Sequence, residues 1–138
     1  MSYIDPTREQ IEIFKKLPRN EPVAMLNLIK LRDKANYPDG RDCSGAEAYA
    51  TYGETSGPIF SRVGGEIIWR GDPQCVLIGP NEESWDIAFI ARYPHSGAFL
   101  EMVTDPEYQR VVVNRQAAVL DSRLIRMSIA ESGEGFAG

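Results

Sequence analysis

Cysteine and histidine are scarce in this sequence, which has only Cys43, Cys75 and His95 among its 138 residues. The two cysteines show no C-x-x-C spacing, so we expect free thiols in a reducing compartment, with no disulfide framework and no zinc site. The sequence also lacks a phosphate-binding glycine loop, a dinucleotide fingerprint and a nucleophile beside its base. These absences argue against metal, nucleotide and covalent chemistry, and no cofactor is predicted.

Long apolar runs and clustered positive charge are missing as well. No apolar stretch reaches membrane-spanning length, and the N-terminus lacks the basic start and apolar run of a signal peptide. The formal net charge is −5, with no basic cluster beyond Lys15-Lys16, so a nucleic-acid partner is not expected. Apolar residues make up 43% and charged residues 25% of the chain, as in ordinary folded domains. We therefore expect one cytoplasmic domain without a membrane or nucleic-acid partner.

Helix-start signals recur along the chain. Capping-box patterns at Thr7 and Ser44 predict a short helix over about residues 7–17 and a first crossing helix. The dipeptide Gly57-Pro58 predicts a kink or a split in that second helix. Two further helical pieces are expected over about residues 95–103 and 106–120.

Four segments have strand character. Residues 22–32 and 85–93 carry apolar side chains on both alternating faces, which predicts two central strands. Residues 64–79 are predicted as one long edge strand kinked at Pro73, and residues 122–129 as a charged edge strand. The order predicts an α+β, ferredoxin-like βαββαβ fold with an extra N-terminal helix, in which helices cover one face of a four-stranded antiparallel sheet.

A helix layer on one face leaves the second face of this sheet uncovered. Because both central strands place large apolar side chains on that face, a second copy packed sheet to sheet is expected, which gives a homodimer. Within each subunit we expect a helical extension over residues 1–20, a barrel domain over 21–130 and a flexible tail over 131–138.

Several short motifs occur in a characteristic order between Val23 and Met127. They are Met25-Leu26-Asn27-Leu28, Gly64-Gly65, Tyr93-Pro94, Asp105-Pro106-Glu107-Tyr108-Gln109, Arg115 and Asp121-Ser122-Arg123-Leu124. In this order and spacing the chain resembles domain of unknown function family 1330, of the dimeric α+β barrel superfamily. The resemblance implies a homodimer whose two sheets close around a cavity, and it implies no established activity. The chain departs from the family pattern in its N-terminal helix, in the loop over residues 33–43, and in His95, where the family typically has a small capping residue.

His95 is the candidate catalytic residue, because imidazole can act as an acid or a base near neutral pH. The alternative is an exposed residue beside a helix cap, and a metal site on it lacks partner ligands. Asn27 interrupts an apolar strand, so it is predicted either to orient a ligand in a cavity or to be satisfied by backbone at a bulge.

Trp69, Asp86 and Arg92 complete the predicted ligand-binding set. Asp86 and Arg92 lie six positions apart on one strand, so they line the cavity mouth or form ion pairs with edge strands or the partner. Trp69 belongs to a candidate aromatic wall with Tyr49, Tyr52 and Trp85, although the helical spacing of the tyrosines favours core packing.

Three functions are compatible with these features. One is a cofactor-independent enzyme that oxygenates or isomerises a small cyclic or phenolic compound, and a second is a non-catalytic module that binds or senses a small molecule. A third is a purely structural dimer. The sequence leaves open whether the protein is an enzyme.

Overall fold

The computed structural model describes residues 2–136 and contains four helices and four strands. In chain order they are α1 (Arg8–Lys16), β1 (Val23–Leu31), α2 (Gly45–Arg62), β2 (Glu66–Gly71), β3 (Ile87–Tyr93), α3 (Ser96–Thr104), α4 (Pro106–Ala118) and β4 (Val119–Ser128). The strands form one antiparallel sheet in the order β2-β3-β1-β4. The predicted ferredoxin-like fold, with β1 and β3 central, is therefore confirmed.

Both predicted capping boxes are present at their helices. Thr7 and Gln10 exchange side-chain and backbone hydrogen bonds at the start of α1, and Ser44 and Glu47 do the same for α2. The split predicted at Pro58 does not occur, because α2 continues through it to Arg62. Ile59 of that turn is fully buried in the core, and its packing holds the helix together across the proline.

The long edge strand predicted over residues 64–79 is wrong in its second half. The strand β2 ends at Gly71, and residues 74–79 are not paired with any strand in the described part of the chain. The strand ends at Gly71 because its partner β3 begins only at Ile87. Gly71 is already paired near that end of β3, so no part of β3 is left to pair with residues 74–79. Leu77 and Ile78 are left 90% and 92% exposed.

The helices cover one face of the sheet and leave the other open. Met25 and Ala91 are paired between β1 and β3 and are buried in the core beneath the helices. Side chains alternate between faces along a strand, so their neighbours Leu26 and Ile90 lie on the opposite side. On this open side, four apolar residues, one from each strand, are paired side by side and form a row across the sheet. They are Trp69, Ile90, Leu26 and Ile125. We call this row the open-face row.

The predicted boundaries within the chain fall between secondary-structure elements. The extension over residues 1–20 contains α1, and the domain over 21–130 contains all other elements, but the boundaries stay a prediction. Residues 137 and 138 of the predicted tail over 131–138 lie outside the described residues. Within residues 2–136 no helix has the length and apolar character needed to cross a membrane.

Candidate functional site

A cavity of about 1090 Å³ lies between the helix-covered face of the sheet, the helices α2, α3 and α4, and the N-terminal segment. This volume is near the upper end of the range usual for small-molecule sites. Its lining includes aromatic and sulfur-containing side chains from the sheet and the helices, namely Met25, Phe60, Phe89, Tyr93, Phe99 and Met102. Such a lining excludes water from a flat organic ligand and offers it ring contacts.

The N-terminal segment forms one wall of the cavity and is fastened to β4 and α4. The backbone N–H of Tyr3 donates to Asp121 Oδ1 at 2.8 Å, and Ser122 Oγ donates to the carbonyl of Tyr3 at 2.7 Å. Arg115 donates to the carbonyl of Ile4 at 2.6 Å. The segment is thus held by backbone contacts that depend little on its own side chains.

The helix α1 continues this wall. Phe14 packs against Phe99 of α3 with 5.2 Å between the ring centroids. The guanidinium of Arg126 lies 4.8 Å from the Phe14 ring and donates to the carbonyls of Phe14 and Pro18. The helix α1 thus forms part of the cavity wall.

Three tyrosines form the polar side of the cavity. Tyr52 and Tyr108 share a hydrogen bond of 2.8 Å between their hydroxyl oxygens, and the rings of Tyr49 and Tyr52 lie 5.6 Å apart. Burial raises the pKa of the Tyr49 hydroxyl, and Arg115 and Arg70 only partly oppose this effect. Burial raises the pKa of Tyr108 as well, and the Tyr52 hydroxyl adds to the rise. The phenols of Tyr49 and Tyr108 are therefore neutral hydrogen-bonding groups at physiological pH.

Asn27 lies in this cavity, on the helix-covered face of β1. Its side-chain amide donates to the carbonyl of Met25 at 3.0 Å, and within residues 2–136 its Oδ1 accepts no hydrogen bond. The bulge of β1 falls between Lys30 and Leu31, away from Asn27. Backbone therefore holds the amide group without a bulge at Asn27, and the ligand-binding role of Asn27 stays a prediction.

His95 is placed elsewhere. It is the N-cap of α3, where its Nδ1 accepts a hydrogen bond from the backbone N–H of Ala98 at 3.2 Å. The side chain is exposed and does not line the cavity. The catalytic role of His95 stays a prediction, and its geometry is that of a helix cap.

Trp69, Asp86 and Arg92 are not brought together with Asn27 in the cavity. Trp69 lies on the open face of the sheet. Asp86 accepts from the backbone N–H of Leu31 at 2.8 Å and pairs with Lys30 at 3.6 Å. Arg92 pairs with Glu66 of the edge strand β2 at 3.6 Å. The contact of Arg92 is an ion pair with an edge strand, as the alternative predicted, whereas Asp86 pairs with the central strand β1; the ligand-binding roles of both stay predictions.

Sequence reasoning did not assign Tyr108, Val112 and Arg115 to the cavity, although all three line it. The signal that could have found them is their spacing on α4, because positions i, i+4 and i+7 lie on one helix face. The sequence placed Tyr108 and Arg115 only among the family motifs. Arg70 gave no comparable signal, because a single arginine at the end of an edge strand is common.

Comparisons with known proteins agree with this architecture. RPA0582 from Rhodopseudomonas palustris, a protein of unknown function, is 50% identical, with a TM-score of 0.92 and coverage of 96% of this chain and 100% of that chain. A dimeric protein of unknown function and ferredoxin-like fold from Bacteroides fragilis is 14% identical, with a TM-score of 0.50 over 81% of this chain and 100% of that chain. No curated protein matches.

A further similar structure is SnoaB, a cofactor-independent oxygenase from Streptomyces nogalater. It is 13% identical, with a TM-score of 0.53 over 81% of this chain and 96% of that chain, so the likeness concerns the fold. Residues 41–127, more than half of the 138 residues, match the family described as Domain of unknown function (DUF1330). The chain therefore belongs to the DUF1330 family, as the resemblance in its motifs predicted.

Proposed function

We propose that this protein is a homodimeric, cofactor-independent enzyme that oxygenates or isomerises a small cyclic or phenolic compound. The observation that carries the proposal is the cavity of about 1090 Å³, with an aromatic lining on one side and hydrogen-bonding tyrosines on the other. A flat ring of a ligand fits between aromatic side chains, while its oxygen substituents need polar partners. SnoaB, described as a cofactor-independent oxygenase, supports the proposal through its similar fold.

The tyrosine pair is suited to stabilising an enolate or phenolate. Oxygenation without a cofactor and isomerisation both begin when a ring compound loses a proton and leaves negative charge on oxygen. A buried phenol with a raised pKa stays protonated and donates a hydrogen bond to that oxygen. The hydroxyls of Tyr108 and Tyr52 are hydrogen-bonded to each other. One hydroxyl therefore donates to the other and orients it, and the second donates its hydrogen bond to the oxygen of the ligand.

The open-face row supports the homodimer. Trp69 and Ile125 in this row are 54% and 47% exposed, and a contiguous apolar row across four strands is unusual on a free surface. A second copy packed sheet to sheet would bury the row against itself. The dimeric ferredoxin-like protein from Bacteroides fragilis shows that a similar fold assembles in pairs.

The main test is the conversion of a molecule that the protein itself retains. Small molecules released after purification under native conditions are identified by mass spectrometry, and each is then incubated with the protein in air and without oxygen. We expect conversion that falls strongly in Tyr108→Phe, which removes the hydroxyl and keeps the ring. Tyr37→Phe is the matched control, because Tyr37 donates a buried hydrogen bond to Asn114 outside the cavity.

The second candidate is a non-catalytic module that binds the same kind of molecule. One observation favours it: among the described residues that line the cavity, Asp5 of the N-terminal segment supplies the only carboxylate and there is no histidine. An enzyme would then have to take its proton acceptor from Asp5 or from the substrate itself. Tight binding of a retained molecule without any conversion in air or without oxygen would establish this module in place of the enzyme.

The role of His95 is tested separately with two substitutions. Asparagine is a good helix N-cap but cannot titrate, whereas alanine neither caps nor titrates. If His95 only caps α3, His95→Asn keeps both stability and turnover, and His95→Ala loses about 1 kcal/mol of stability. If His95 takes part in catalysis, both variants lose turnover to the same extent.

A further inference from the structure

The charge inside the cavity is opposite to the charge of the whole chain. The protein carries a formal net charge of −5, yet the described cavity lining contains four arginines and one carboxylate, that of Asp5. One of the four, Arg123, is neutralised by Asp121 at 2.9 Å. The other three are Arg70, Arg115 and Arg126, and none of them has a carboxylate within 4.0 Å in the described chain.

Arg115 and Arg126 are half-buried, whereas Arg70 is exposed. The guanidinium of Arg115 donates to the Ile4 carbonyl at 2.6 Å and to Ser122 Oγ at 3.3 Å. Both acceptors are neutral, so they orient the guanidinium and leave its charge uncompensated. A half-buried cation without a counter-ion is costly in a lone protein and attracts an anionic partner.

Arg70 approaches the same place from the edge strand β2. It is exposed, lines the cavity and makes no hydrogen bond or ion pair with the described residues. Arg70, Arg115 and Tyr49 all line this cavity, and both arginines lower the pKa of the Tyr49 hydroxyl, which burial raises. Two arginines and a phenol provide the N–H and O–H donors that a planar carboxylate accepts.

We propose that the ligand of this cavity is a small aromatic or cyclic carboxylic acid. Its carboxylate is bound by Arg115 and Arg70 beside Tyr49, and its ring lies among Phe60, Phe89 and Phe99. This inference rests on the proposed function, because it assigns a substrate class to the same cavity. It gives the uncompensated arginines a counter-ion that the chain itself does not supply.

The test compares two probes of the same shape, one with a carboxylate and one with a neutral amide. Binding of 4-hydroxybenzoate and of its neutral amide, 4-hydroxybenzamide, is measured by isothermal titration calorimetry on the full-length protein. We expect the acid to bind about tenfold more tightly or better, because a hydrogen bond to a charged group contributes more than a neutral one. Arg115→Gln and Arg70→Gln should each remove most of this difference.

Arg110→Gln is the matched control, because Arg110 is exposed on α4 and does not line the cavity. It removes the same charge and should leave the preference for the acid unchanged. If Arg115→Gln does not fold, Arg70→Gln still tests the proposal. Arg70 has no partner in the described chain, so its replacement removes no contact that holds the fold. Circular dichroism checks that each variant is folded.

The outcomes separate this inference from the proposed function. Equal binding of acid and amide, or tighter binding of phenyl phosphate than of 4-hydroxybenzoate, overturns the carboxylate assignment and leaves a cavity that binds ring compounds. An acid preference that survives both cavity substitutions also overturns it. Failure of every ring probe to bind, together with the absence of any retained molecule, overturns both proposals.

Discussion

Replacing Trp69 by serine is expected to weaken the proposed homodimer while leaving the subunit folded. Trp69 lies in the open-face row and is 54% exposed in the single chain. A tryptophan side chain can bury roughly 200 Å², so about 100 Å² is available to a partner. At roughly 25 cal/mol per Å² this corresponds to about 2.5 kcal/mol for each subunit.

A twofold dimer contains this residue twice, so the loss is about 5 kcal/mol per dimer at most. The dissociation constant should therefore rise by up to roughly three to four orders of magnitude. Sedimentation velocity over nanomolar to micromolar concentrations measures this change, and the thermal unfolding of Trp69→Ser shows that the subunit is intact. Ile13→Ser is the control, because Ile13 is 62% exposed on α1, on the helix side of the molecule.

Two results would refute the reasoning. The wild-type protein could sediment as a monomer at tens of micromolar, in which case the open-face row is not an interface. Alternatively, Trp69→Ser could dimerise as tightly as the wild type, which would place the interface on another surface.

The remaining predictions concern other parts of the fold. The double variant Leu77→Ser/Ile78→Ser should weaken dimerisation measured by sedimentation. Both side chains are over 89% exposed, and a second copy is the surface that would cover them. An unchanged dimer affinity would show that this segment has no part in the interface. Ser44→Ala should lower the free energy of unfolding in urea by about 1 kcal/mol, because it removes a capping box, and no loss would show that α2 is held by packing alone. Burial raises the pKa of Asp121, but hydrogen bonds from the backbone N–H of Tyr3 and from neighbouring groups outweigh it and hold that pKa below its ordinary value. The carboxylate therefore stabilises the fold at pH values above the ordinary aspartate pKa, and this contribution is lost as the pH falls through the lowered one. Urea titrations at several acidic pH values should show a shallower loss for Asp121→Asn, and identical pH profiles would contradict this account.

Local signals in the sequence predicted most of the secondary structure. The capping boxes at Thr7 and Ser44 marked two helix starts because their side chains satisfy backbone N–H groups a few residues away. The apolar character of residues 22–32 and 85–93 identified the central strands, because only a strand covered on both faces tolerates such a run. These features depend on neighbours in the chain, which a sequence displays directly.

Errors arose where the outcome depended on a distant partner. Residues 74–79 have strand composition, but β3 is too short to pair with them, and no local pattern reveals the length of a neighbouring strand. Pro58 stays inside α2 because the burial of Ile59 outweighs the lost hydrogen bond, and that burial belongs to the assembled core.

The sequence by itself determined the strand order and the apolar character of both sheet faces, because these follow from chain periodicity and connection rules. The contents of the cavity were decided by the tertiary structure alone. Arg70 and Arg115 are far apart in the chain and line one cavity with Tyr49 only when β2, α2 and α4 pack together. Of the predicted site residues, Asn27 lines the cavity, whereas His95 has its Nδ1 engaged in capping α3. Helix packing brings side chains that are distant in the chain into one cavity, and their spacing along the chain does not predict this.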